Sequence, residues 1–131
     1  MAKVMFDANM ILRYILDDNK EMADIVEEYI TSCRVIITIE VVAEVVYVLR
    51  KVYGMERKIV SDKIKDFAEL VKCKESGVLN LAIDTYANHN LDFVDCVLYA
   101  YNKINGFEIA TFDKKLLRLL NDRNGDCDEQ T

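Results

Sequence analysis

Residues 38–53 read TIEVVAEVVYVLRKVY, and whether this stretch is a strand or a helix decides the fold. Its many β-branched residues favour a strand on local propensity alone. Its length and period favour a helix. Ile39, Val42, Val46, Leu49 and Tyr53 form an apolar stripe at three-to-four spacing. Thr38 stands where an N-cap belongs, and Gly54 follows the end. We read a buried helix over residues 39–53.

Its neighbours then fall into an alternation. Val35-Ile36-Ile37 precedes it as a short buried strand, and Val4 to Phe6 is another. Between them, Ile11, Leu12, Ile15 and Leu16 recur at helical spacing, with Asn9 as the expected cap. A second helix spans about 20–31, with Met22, Ile25, Val26, Tyr29 and Ile30 apolar. Downstream, residues 56–72 form an amphipathic helix with Ile59, Ile64, Phe67, Leu70 and Val71 inward. VLNL at 78–81 is expected as a short edge strand leading into a helix to about Ala87. Asp92 then opens a helix with Asp95 in its first turn, and Gly106 closes it. Residues 107–111 read as a strand, and Leu116, Leu117, Leu119 and Leu120 as a last short helix. Strands alternating with helices imply βαβ units and a mainly parallel sheet covered on both faces.

The chain has 131 residues, 52% of them hydrophobic, which suits one domain with one core. No apolar run is long enough to span a bilayer, and an acid at position 7 is unlike a signal peptide, so a cytoplasmic location is expected. Cys33, Cys73, Cys96 and Cys127 form no C-x-x-C pair and read as reduced thiols. Net charge is −6, and the tail 121–131 supplies half of it. Bulk charge therefore repels nucleic acid. A nucleic-acid role needs a local basic patch or bound cations, whereas a basic protein partner suits the acidic body directly.

Acids stand where the elements meet. Asp7 follows the first strand and Asp113 the strand expected at 107–111. Glu44 lies in the helix after the second strand, and Asp92 and Asp95 open the helix before the last. In a parallel sheet, ligands bind beyond the carboxyl ends of the strands. Carboxylates gathered there need a counter-charge, and a hard divalent cation such as Mg²⁺ or Mn²⁺ provides one. Metal-assisted phosphodiester hydrolysis fits that chemistry and needs no histidine. Each acid also has a plainer reading: Asp7, Asp92 and Asp113 as helix caps, Asp95 as part of a capping turn, Glu44 on a solvated face with Glu40, Tyr47 and Lys51.

The stretches FDAN (6–9), TIEVVAEVVYVLRKVYG (38–54), LDFVDCVLYA (91–100) and IATFDKKL (109–116), in that order, resemble PIN-domain ribonucleases, most closely the VapC-type toxins of toxin–antitoxin pairs. The resemblance covers about residues 1–120 and leaves 121–131 as a polar tail expected to be disordered. It implies a three-layer α/β/α sandwich with a mainly parallel sheet. Four to five strands are expected, because relatives carry a further strand that is not visible after Leu120. It implies a Mg²⁺- or Mn²⁺-dependent endoribonuclease cutting single-stranded or loop RNA. Asp7, Glu44, Asp95 and Asp113 match its metal-holding catalytic acids, with Asn9, Asp92 and Thr111 in support. A homodimer and a cognate antitoxin are implied as partners.

Candidate phosphate contacts are Arg13, Arg50, Lys51, Lys114, Lys115 and Arg118, each of which also reads as an ordinary solvated cation. Arg57, Lys58, Lys63 and Lys65 are placed on the outer face of their amphipathic helix, and His89 in a loop. The tyrosines read as core or interface residues rather than base platforms. Two other enzyme and signalling classes fail on single positions. A receiver domain wants paired acids after strand one, where Asp7 is followed by Ala8, and a haloacid-dehalogenase-like phosphatase wants Asp where Asn9 stands. A catalytically inactive PIN-like scaffold is the remaining alternative.

Overall fold

A computed structural model of the chain describes residues 1–122, so the expectation for the tail falls, past Asp122, outside the described residues. Three strands, β1 (Lys3–Met5), β2 (Arg34–Ile37) and β3 (Lys72–Cys73), form a parallel sheet in the order β1-β2-β3. Val4 pairs with Val35 and Met5 with Ile36, and on the other side Ile37 pairs with Cys73. Within β2, Val35 and Ile37 are buried while Arg34 is exposed, the period-two pattern of a strand.

Between β1 and β2 run α1 (Ala8–Leu16) and α2 (Lys20–Ser32). The turn between them starts at Asp17, in the left-handed region at φ 49°, and Asn19 caps α2 by accepting the Met22 N–H at 3.1 Å. The decisive stretch is a helix. α3 (Ile39–Tyr47) is capped by Thr38, whose Oγ1 accepts the Val41 N–H at 3.2 Å. After Tyr47 the helix widens into a π-helical turn, Val48–Val52, in which the Tyr53 N–H reaches back to the Val48 carbonyl at 3.2 Å. Apolar side chains hold it: Val42, Val45, Val46 and Leu49 are buried. Packing of that stripe overrides the strand propensity of its valines. Gly54, at φ 67°, ends the run in a conformation that favours glycine.

The remaining helices are α4 (Arg57–Ala68), α5 (Ser76–Asn88), α6 (Phe93–Asn105) and α7 (Lys114–Leu120). α5 packs between α4 and α6, α7 packs on α6, and α3 touches α6. The core runs through all of them, from Phe6 and Ile11 through Leu49 and Phe67 to Leu79, Ile83 and Ala100.

Several expectations are corrected. VLNL at 78–81 lies inside α5, because Val78, Leu79, Ala82, Ile83 and Tyr86 continue one buried helical stripe. Residues 107–111 are not a strand: Phe107 is 58% exposed and none of the five residues is buried, so no face there is worth pairing. The sheet thus has three strands among the described residues rather than four or five. β3 was hidden at the end of the run read as a helix over 56–72. In α4 the inward residues are Val60, Ile64 and Phe67, while Ile59 is exposed, as is Leu70 in the turn after the helix. The helix-rich α/β class and its parallel sheet stand.

Truncating Leu49, which is wholly buried where α3 passes into the π-turn, should cost ~2–5 kcal/mol. Urea unfolding of Leu49→Ala checks this, and a loss below ~1 kcal/mol would mean that the turn is not anchored by the core.

Candidate active site

Asp7 follows β1 and caps α1, its Oδ1 accepting the Met10 N–H at 3.0 Å. The cap is therefore Asp7 and not Asn9, which lies exposed in the first turn of α1. A carboxylate here offsets the positive end of the helix and fills one of its unsatisfied amide positions. Parallel pairing brings the end of β2, and so Thr38 and the start of α3, to the same edge of the sheet as Asp7. Glu44 is exposed on α3, as are Glu40 and Tyr47 on the same helix and Lys51 in the π-helical turn after it.

The acids of α6 and α7 meet. Asp92 holds the N-cap position of α6 with extended backbone, yet its side chain makes no capping hydrogen bond. Asp95 lies in the first turn of the same helix, partly shielded from solvent. Asp113 caps α7 by accepting the Leu116 N–H at 2.8 Å, and the Thr111 hydroxyl accepts the Asp113 N–H at 3.0 Å. Asp92, Asp95 and Asp113 line one cleft of about 260 Å³, together with Lys114 and Lys115. The Asp95 carboxyl is held above the usual aspartate range, first by burial, then by the charge of Asp113, then by that of Asp92. This is negative charge crowded and only partly compensated.

Asp7 and Glu44 do not line that cleft. Among the described residues, no three His, Cys, Asp or Glu side chains stand close enough together to hold a metal ion. Asp92, Asp95 and Asp113 thus share one cleft, and Asp7 and Glu44 are exposed carboxylates outside its lining. Hard oxygen donors and unbalanced charge suit a divalent cation, but the acids do not form a closed ligand set among the described residues.

A second cleft, of about 550 Å³, adjoins the first and shares Asp92 and Asp95 with it. Its other wall carries Tyr47, Arg50, Lys51 and Arg57. Arg57 is not on an outer face, as its helix period implied. Its Nε donates to the Tyr86 carbonyl at 3.0 Å, an Nη2 donates to the Leu91 carbonyl, and the guanidinium lies 3.7 Å from the centre of the Tyr86 ring. Arg57 thus ties the last turn of α5 to Leu91, the residue before Asp92. No local signal marks it, because its partners are 29 and 34 residues away. Arg13 is committed elsewhere, its Nη1 lying 3.0 Å from Asp18 Oδ1.

Residues 4–120 match the family profile described as PIN domain. The chain belongs to the PIN domain family. No curated protein and no solved structure gives a significant match. PIN domains are typically nucleases and generally depend on a divalent metal. The PIN resemblance read from the sequence is thereby established at the level of the family.

The crowding of Asp95 has a titration consequence. Because Asp113 helps to raise its proton affinity, Asp113→Asn should lower the Asp95 pKa in protein held in EDTA, as read from its carboxyl carbon shift against pH. An unchanged titration would mean that the two carboxylates do not interact. The sign for stability follows: a raised folded-state pKa favours the protonated form. Asp95 thus stabilises the fold at low pH, and that contribution is lost as pH rises through its elevated pKa.

Proposed function

We propose that this PIN domain is a Mg²⁺- or Mn²⁺-dependent endoribonuclease that cuts single-stranded or loop RNA, and that it acts in the cytoplasm as the toxin of a toxin–antitoxin pair. The observation that carries the reading is the meeting of Asp92, Asp95 and Asp113 with Lys114 and Lys115 in one cleft, where burial first and the charge of Asp113 second make the Asp95 carboxyl more basic, within a family that is typically nucleolytic. Asp7, Glu44, Asp95 and Asp113 are the residues that would hold the cation. When bound, it would supply positive charge to the phosphate and acidify a water molecule. Around them, Thr111 fixes the backbone of Asp113, Asn9 lies two residues after Asp7, and Asp92 adds charge beside Asp95. Lys114 and Lys115 would hold the scissile strand against an otherwise repelling site.

A homodimer and an antitoxin are proposed as partners. Met22, Ile25 and Tyr29 support this: they recur along α2 at 45%, 55% and 39% exposure, an apolar stripe at helical spacing.

The caps make the test clean. Asn caps a helix about as well as Asp, so Asp7→Asn and Asp113→Asn keep α1 and α7 while removing a carboxylate. In a Mn²⁺-supported cleavage assay on structured RNAs, each should slow cutting by ~10²–10³. Equal cutting by wild type and Asp7→Asn would reduce that residue to a cap, and no cutting by metal-loaded wild type would leave a binding scaffold.

A further inference from the structure

The acidic cleft does not stand alone. On one side it shares Asp92 and Asp95 with the cleft walled by α3 and its π-turn. On the other it shares Asn90, Leu91 and Lys115 with a third cleft, of about 310 Å³, which runs on to Arg118. The three adjoin through these shared residues as one groove, with three acids beside Lys114 in its middle part, Arg50, Lys51 and Arg57 toward one end, and Lys115 and Arg118 beside Asp122 toward the other. Lys51, Lys115 and Arg118 are exposed, and none of them has a salt bridge among the described residues. Arg50 is steadied by one hydrogen bond to the Met55 carbonyl, at 3.2 Å.

Tyr47 is an exposed aromatic residue of this groove that its charge pattern does not explain. Tyr47 is 63% exposed at the end of α3, four residues before Lys51 in the π-helical turn that follows. It lines the cleft of about 550 Å³, within the ~300–1,000 Å³ usual for a site that encloses a small organic group. An exposed aromatic ring beside unpaired cations is the combination that binds a flexible single strand: the ring stacks a base and the cations track the phosphates. A protein ligand has less to gain here, since the acids in the middle would repel an acidic segment and the cations at both ends a basic one.

We propose that a single-stranded polynucleotide lies along this groove, with a base stacked on Tyr47, phosphates held by Arg50 and Lys51 on one side of the acids, and phosphates held by Lys115 and Arg118 on the other. The proposal rests on the nuclease reading for the purpose of the acids, but the binding it describes needs neither metal nor cleavage.

The test is fluorescence anisotropy with a labelled single-stranded 2′-O-methyl oligouridylate in EDTA, across a series of salt concentrations. Tyr47→Ala should weaken binding about 5–100-fold, with Tyr47→Phe close to wild type, because stacking needs the ring and not the hydroxyl. Lys51→Gln and Arg118→Gln should each reduce the salt slope by about 0.7, whereas Lys63→Gln on the exposed side of α4 should leave it unchanged. Melting temperatures close to wild type, expected for these exposed positions, show that the variants are folded. Wild-type protein that fails to bind, or binding that survives every substitution in the groove, overturns the proposal. The nuclease reading fails separately: groove-dependent binding with no Mn²⁺-supported cutting leaves the groove standing without it. Cutting that needs Asp7 but ignores Tyr47, Lys51 and Arg118 leaves the nuclease without this groove.

Discussion

The parallel pairing of β2 with both of its neighbours is the constraint on which the rest of the molecule depends. It is made of very few residues, four in β2 and three and two in its partners. Those few hydrogen bonds set direction rather than supply stability. They require each strand to run the same way, so every connection must cross back through helices. The ends of β1 and β2 then share an edge, and Asp7 and the start of α3 share it with them. Helix packing around Leu49, Leu79, Ile83 and Ala100 holds that geometry in place.

From this edge the charge distribution takes its shape. Carboxylates at helix starts serve the helices first: Asp7 and Asp113 each accept a backbone N–H from the helix they open. A cap uses one carboxylate oxygen and leaves the other outward, so capping and ligand binding are compatible in one side chain. Asp92 departs from this, standing at the cap position of α6 without capping it. Its charge bears instead on Asp95.

Much of this was legible in the sequence wherever a local rule applied. The period of the apolar residues after Thr38 identified α3 against the propensity of its valines, and Thr38 and Gly106 marked the ends of α3 and α6 as capping chemistry requires. What was not legible depended on partners distant along the chain. β3 is two residues long and carries no pattern of its own. The segment 107–111 has strand composition but buries nothing, so composition misled. Asn9 and Asp7 are equally good caps by type, and only the backbone decides between them. Of the candidate acids, Asp92, Asp95 and Asp113 line one cleft, and that meeting joins the start of α6 to the start of α7 across a segment whose path no local pattern gives.

Arg57 shows that positive charges in this molecule are not equivalent. Where a cation projects into open groove, as at Lys51 or Lys115, a compact ammonium suffices. Arg57 has a different task, since it bridges two carbonyls while lying flat on Tyr86, whose ring in turn meets Phe93 edge-on at 5.8 Å. Only a planar fork does all of this at once. Arg57→Lys, a nominally conservative exchange, would preserve net charge yet loosen the hinge on which Asp92 and Asp95 are hung.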